Sequence, residues 1–278
     1  MSTNARSLNS KIEELKATAA DLSPEVIAVT ETWTNPSICS SYLNICGYKL
    51  VARKDRADTS NGRGGGIVVY VKSSIICHEI ETPSEIIQVA AVQTKMTDHG
   101  LNIYVVYRSP NSSVENNIQI NDFIRSVPAN SIIVGDFNYP NVDWELMCSN
   151  GNATDFVDAI NEHFLTQHVT FPTHDGGNTL DLVISNIPSR VSSLSEVGKL
   201  GNSDHSIILT EVLGTVSSHI PQHTIWNFKF AKLDDMKKAL REIQWNEILV
   251  NDVDTDWDCF KKTITCATNS FSKKQLKK

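Results

Sequence analysis

The chain has 278 residues, 40% hydrophobic and 21% charged, which is ordinary for a folded globular protein and ample for a sizeable core. Its net charge of −7 is uneven: residues 1–218 carry 14 Lys/Arg against 24 Asp/Glu, a balance of −10, and residues 219–278 carry 11 against 8, a balance of +3. Nothing approaches ~18 consecutive apolar residues and the opening MSTNARSLNSKIEELK has no apolar signal-peptide core, so no membrane partner and a nuclear or cytoplasmic location are expected.

The cysteines, Cys39, Cys46, Cys77, Cys148, Cys259 and Cys266, contain no C-x-x-C pair, which removes zinc-ribbon and thioredoxin-type chemistry. An acidic body argues at first against a nucleic-acid partner, yet it suits a site that collects carboxylates around metal ions.

Along the chain, Ile12, Leu15, Ala19 and Leu22 recur at helical spacing after an Asn9/Ser10 cap, predicting an amphipathic helix over 10–22 that Pro24 ends. EVIAVTETW (25–33) reads as a buried strand with Glu31 at its polar end, and GRGGGIVVYVK (62–72) as a glycine-rich turn feeding a strand. LNIYVVYRSP (101–110) is a strand closing on Tyr107 and Arg108. SIIVGDFNYP (131–140) is an apolar run that stops at Asp136 and Asn138. NTLDLVIS (178–185) and SDHSIILTEVL (203–213) are two further strands. Strands interspersed with a few helices over about 210 residues predict a layered α/β domain. LGTVSSHIPQHT (213–224) reads as a linker. Beyond it the stripes Leu233, Met236, Leu240, Ile243 and Trp257, Phe260, Ile264, Ala267, Phe271 predict a two-helix appendage whose stripes are packing faces.

The polar residues at strand ends form a set: Glu31, Asp136, Asn138, Asp181 and the triplet Ser203-Asp204-His205. One Asp or His in such a place is ordinarily a satisfied structural group. Four strands with the same anomaly point to a shared cleft, because a carboxylate beside buried apolar residues is costly without a partner. The residue types suit phosphoryl chemistry. Glu31 and Asp204 would hold Mg²⁺, Asp136 would orient or deprotonate a water, and Asn138, Tyr107 and His205 would donate to a phosphate gaining charge. Asp181 is a natural partner for the His205 ring. A Ser-His-Asp hydrolase is disfavoured by the lack of a G-x-S-x-G elbow, and zinc by the lack of H-E-x-x-H.

The ordered motifs TETW, YRSP, VGDFN, TLDLVIS and SDHSII resemble the endonuclease/exonuclease/phosphatase superfamily. The resemblance is closest to the apurinic/apyrimidinic-type endonuclease domain of non-LTR, LINE-like retrotransposons, and TNARSLNSKIEELK and GRGGGIVVYVK are similar to that group's opening motifs. It implies a four-layered α/β sandwich, two packed mixed β-sheets flanked by helices, over residues 1–213, with 214–224 as linker. Residues 225–278 resemble the helical connector that precedes a reverse transcriptase. A first strand shortened to the residues around Asn4 is expected, and the reverse transcriptase that the resemblance places downstream is expected to be absent from this chain.

For the site, the resemblance implies Asn4, Glu31 and Asp204 around Mg²⁺ (or Mn²⁺) and Tyr107 at the scissile phosphate. Asp136 would position the attacking water with support from Asn138, and Asp181 would pair with His205 to stabilise the pentavalent phosphate. Arg108, Asn138 and His174 are the expected substrate contacts, with Arg53, Lys54, Arg56 and Arg63 as further candidates for DNA phosphates. The implied activity is a Mg-dependent endonuclease nicking a target DNA duplex. The alternatives are a phosphatase of the same superfamily and a truncated, non-catalytic remnant.

Overall fold

The structure is a computed structural model. It describes residues 1–55, 64–82, 88–96, 100–149, 151, 153–214, 224–227, 232–249, 253–271 and 273–276. Arg56, Arg63 and positions 215–223 of the expected linker lie outside the described residues. The chain divides into two compact units, Met1–Thr215 and Val216–Lys278.

In chain order the first unit contains β1 (Ser2–Asn4), α1 (Ile12–Leu22), β2 (Val26–Thr30), β3 (Tyr48–Lys54), β4 (Ile67–Lys72), β5 (Cys77–Ile80), β6 (Val89–Thr94) and β7 (Leu101–Tyr107). There follow α2 (Val114–Ser126), β8 (Ser131–Asp136), the ribbon β9 (Val142–Asp143) and β10 (Cys148–Ser149), α3 (Thr154–Glu162), β11 (Thr166–Gln167), β12 (Asp181–Ser185), β13 (Val191–Lys199) and β14 (Ser206–Val212). Two six-stranded sheets result, ordered β13-β14-β1-β2-β4-β3 and β11-β12-β8-β7-β6-β5. Each is mixed: β1 runs parallel to β2 and β7 parallel to β8, and the other pairings are antiparallel.

Three apolar layers explain why the central strands read as unbroken apolar runs rather than alternating ones, since both faces of each sheet are covered. Between the sheets, Val26, Ala28, Val69 and Ile208 of the first meet Val105, Val134 and Val183 of the second. The outer face of the first sheet, with Ile27, Val29 and Val68, packs on Ile12, Leu15 and Ala19 of α1. That of the second, with Ile133 and Leu182, packs on Ile120 and Phe123 of α2 and Phe156 and Ile160 of α3. The order helix–sheet–sheet–helix is the four-layered sandwich expected.

The start of α1 differs from expectation. Lys11, not Asn9 or Ser10, is its N-cap and no side chain caps it. Lys11 instead turns its Nζ inward to the carbonyls of Ala5 (2.7 Å) and Arg6 (3.0 Å) and is itself buried. It is a staple for the loop after β1.

The second unit holds α4 (Leu233–Arg241), the short α5 (Trp245–Ile248), α6 (Val253–Phe271) and an antiparallel ribbon of β15 (Thr224–Asn227) and β16 (Lys273–Leu276). The ribbon has no signal in the helical stripes. Trp257 and Phe260 stack on each other with ring centroids 5.7 Å apart, yet both stay exposed. Among the described residues no helix is long and apolar enough to cross a membrane.

Candidate active site

Chain direction brings the polar strand ends together. β1, β2, β7 and β8 end at Asn4, Thr30, Tyr107 and Asp136, while β12 begins at Asp181 and β14 just after His205. Strand register lines up Tyr107, Asp136 and Asp181 across β7-β8-β12 and sets Asn4 beside Thr30. An isolated bridge joins His174 to His205. The cleft therefore gathers Asn4, Glu31, Tyr107, Asp136, Asn138, Asp181, Asp204, His205 and His174.

Asp136 is fully buried and completely oriented. Its Oδ2 accepts from Asn4 Nδ2 and from Asn138 Nδ2, each at 2.8 Å, and its Oδ1 from the Asn138 backbone N–H at 3.1 Å. Burial, then the neighbouring Asp181, holds its carboxyl well above the usual range, against the opposing pull of His205 and Asn4. A carboxylate so placed takes up a proton readily.

His205 gives the opposite case. Burial disfavours its charge, but the hydrogen bond and charge of Asp181 (Nδ1 to Oδ2, 2.7 Å), with Asp136 and Asp204, outweigh burial and raise it to about 9. Imidazolium is thus the form at neutral pH. Its Nδ1–H is taken by Asp181, so Nε2–H is the remaining donor.

Glu31 follows β2 with φ 47°, and Tyr107 donates its hydroxyl to Glu31 Oε1 at 2.7 Å. Burial, then the Glu31 charge, raises the Tyr107 phenol far above its ordinary value, keeping it a donor. The glycine-rich turn braces this corner: Gly65 and Gly66 carbonyls accept from Trp33 and Thr32. Arg6 (φ 42°), Ser7 (φ 80°) and Asn138 (φ 50°) beside the cleft are also left-handed.

Among the described residues two compact sets have a metal-ligand spacing, His174/Asp204/His205 and Asp136/Asp181/His205. Both include His205, whose Nδ1 is already bonded to Asp181 Oδ2 at 2.7 Å. The oxygen donors are the better choice. Asp204 Oδ1 is buried with no hydrogen-bond partner, a costly state that a cation would relieve. Its Oδ2 lies 3.5 Å from His174 Nε2 and pairs with Arg6 Nη1. Partial burial favours elevation of the Asp204 carboxyl, but its own backbone N–H, then Arg6 and the two histidines, draw it below the usual range. An orphaned carboxylate oxygen of this kind is one that a hard divalent ion would satisfy.

The remaining expected residues are engaged as follows. Asn4, expected around the metal, gives its amide to Asp136 and accepts the Arg6 N–H on Oδ1 at 2.9 Å. Both amide hydrogens of Asn138 are taken, by Asp136 and by the Arg108 carbonyl, leaving only its Oδ1 toward substrate. Arg108, expected as a substrate contact, is 1% exposed and turned inward. Its guanidinium lies 3.9 Å over the Tyr139 ring and donates to Asn117 Oδ1 and to the Phe137 and Asn138 carbonyls. Arg53 is likewise engaged, by Asp55, Ser40 and the Asn35 carbonyl. Sequence reasoning missed Arg6 and the staple Lys11, although both stand in the quoted NARSLNSK.

Residues 101–209 match the family model described as "Endonuclease-reverse transcriptase". The match spans less than half of the chain. The matched segment includes Tyr107, Asp136, Asn138, Asp181, Asp204 and His205, while Asn4 and Glu31 precede it. No curated protein matches the sequence. Among solved structures the chain is similar to the endonuclease domain of TRAS1, a telomere-specific non-LTR retrotransposon. That match has a TM-score of 0.59 and 13% identity, covering 77% of this chain and 97% of that one. It is also similar to the AP endonuclease LMAP from Leishmania major, with TM-score 0.58, 16% identity and coverage of 77% and 87%. A third is the 3' phosphatase NExo from Neisseria bound to a product DNA hairpin, with TM-score 0.57, 16% identity and coverage of 76% and 98%. At such identities these likenesses show a shared fold and no more.

Proposed function

We propose that residues 1–213 are a metal-dependent phosphodiesterase that nicks one strand of duplex DNA, an endonuclease of the non-LTR retrotransposon kind. The observation that carries the reading is the Asp136 carboxylate, buried and held by three hydrogen bonds from Asn4 and Asn138, beside the charged Asp181–His205 pair. A base next to a cationic donor is what water attack on phosphorus requires. The endonuclease–reverse transcriptase match and the TRAS1 likeness favour DNA over another phosphoester.

Mg²⁺, or Mn²⁺ in its place, would be held by Glu31 and Asp204 and would neutralise charge on the phosphate and on the leaving oxygen. Asp136 accepts the proton of a water whose oxygen bonds to phosphorus as the P–O bond to the leaving oxygen breaks. Asn138 Oδ1 helps to orient that water. His205 Nε2–H donates to the pentavalent phosphate, and Asp181 keeps the ring charged and aligned. Tyr107 holds Glu31, Asn4 holds Asp136, and His174, with Nε2 facing Asp204, borders the substrate. On this reading residues 225–278 are a connector of the kind that leads into a reverse transcriptase, and the protein works where chromosomal DNA is accessible.

The test is conversion of supercoiled plasmid to open circle with Mg²⁺ and with EDTA. Wild-type protein nicks only with the metal, and Asp136→Asn and Glu31→Gln each slow nicking at least about a hundredfold. Equal rates in the variants, or EDTA-resistant nicking, would overturn the assignment.

A further inference from the structure

Arg6 stands where its charge should be a liability. Its guanidinium pairs with Asp204, one of the two carboxylates suited to a divalent cation, so a fixed Arg6 would compete with that ion. The pair is not fixed at both ends. The Arg6 backbone is immobilised, with its N–H on Asn4 Oδ1 (2.9 Å) and its carbonyl on the buried Lys11 Nζ (3.0 Å), and its φ of 42° fixes the direction in which the side chain leaves the loop. The side chain itself is 57% exposed, and that of Asp204 25%. An ion pair so open to water is weak. It is also incomplete: only Oδ2 is engaged, and the buried Oδ1 has no donor.

We propose that Arg6 is an exchangeable counter-cation. It neutralises Asp204 when no metal is bound, and when a divalent ion takes that carboxylate its guanidinium transfers to a phosphate of the DNA backbone at the cleft rim. The inference rests on the nuclease reading and adds a substrate contact to it. Arg6 replaces the buried Arg108 as the phosphate-binding arginine beside the reacting centre. A guanidinium suits the exchange because it pairs equally well with carboxylate and with phosphate oxygens. The loop geometry returns it to Asp204 when both ligands leave. The bland alternative is a surface ion pair with no part in binding.

The experiment compares the full chain with Arg6→Gln and Arg6→Lys in two binding measurements. Free Mn²⁺ is followed by its paramagnetic resonance signal without DNA, where Arg6→Gln should bind the ion about two- to fivefold more tightly, the equivalent of removing a half-exposed ion pair. Arg6→Lys should stay near wild type. Binding of a labelled duplex is then followed against salt. With Ca²⁺ present, wild type should exceed Arg6→Gln by about 0.9 in the slope of log K against log salt, one phosphate contact, and in EDTA the two slopes should coincide. Unchanged Mn²⁺ affinity in Arg6→Gln overturns the exchange. Equal slopes with Ca²⁺ overturn the phosphate contact. Wild-type protein that binds neither Mn²⁺ nor DNA overturns the nuclease reading itself, an outcome distinct from both.

Discussion

Asn4 and Asp136 lie 132 positions apart and in different sheets, yet the amide of one donates to the carboxylate of the other at 2.8 Å. The bond spans the mouth of the sandwich. Asn4→Ala leaves a buried carboxylate short of a donor, which should destabilise the protein by about 1–3 kcal/mol. The freed Asp136 should also slow nicking about a hundredfold. Urea denaturation alongside plasmid nicking checks both, and a variant equal to wild type in each would remove Asn4 from the site.

The His205 charge makes stability fall toward alkaline pH. Its folded value of about 9 lies above the unfolded 6.5, so the folded state binds the proton more tightly. That contribution is fully present below pH 6.5 and is lost as pH rises through 9; its size is on the order of 3 kcal/mol. The thermal midpoint of wild type should fall between pH 7 and 9.5 more steeply than that of His205→Asn, and nicking should decline over the same range. Parallel melting curves for the two proteins would refute the charged imidazolium.

Gly135 is the one residue of β8 that must have no side chain. It has φ 139°, and a Cβ there would stand 1.9 Å from the Val106 carbonyl oxygen of β7. Backbone cannot yield as a flexible side chain would. Gly135→Ala should therefore cost more than about 3 kcal/mol and displace the adjacent Asp136. A denaturation midpoint indistinguishable from wild type would show that β7 and β8 have slack.

Arg108 should behave as a structural residue. Arg108→Lys keeps the charge but loses the fork that bridges Asn117 and the Phe137–Asn138 carbonyls. Stability should drop by about 2–4 kcal/mol, whereas the salt slope of DNA binding should not move. A slope lowered by about 0.9 would return Arg108 to the phosphate contacts.

Strand ends were legible in the sequence because an apolar run that stops at a carboxylate conflicts with its own burial. Glu31, Asp136, Asp181 and the Asp204-His205 pair stood out for this reason, and the structure brings them to one end of the sandwich. Side-chain direction was not legible. YRSP gives no sign that Tyr107 faces Glu31 while Arg108 turns inward onto Tyr139, since that choice is made by α2 and the loop after β8. Lys11 misled for a related reason. A lysine at a helix start reads as solvated, yet this one answers to two carbonyls left open by the left-handed turn at Arg6 and Ser7. The short ribbons β9–β10 and β15–β16 are too brief to carry a pattern.

Three bonds at the cleft join one sheet to the other: Asn4 to Asp136, Tyr107 to Glu31 and His205 to Asp181. With the main-chain bonds from Asp175 to the Asp204 carbonyl and from Ser206 to the Thr173 carbonyl beside them, they act as rivets at one end of a sandwich whose interior is oily, directionless contact. The residues that would perform the chemistry are thus also the ones that set the alignment of the two sheets. Alanine at any of the six should raise amide exchange along β1, β7 and β8 by local opening even where the global melting point barely changes. Substitutions that keep the rivets and remove only the reactive group, rather than alanines, are the ones that will separate catalysis from alignment in this fold.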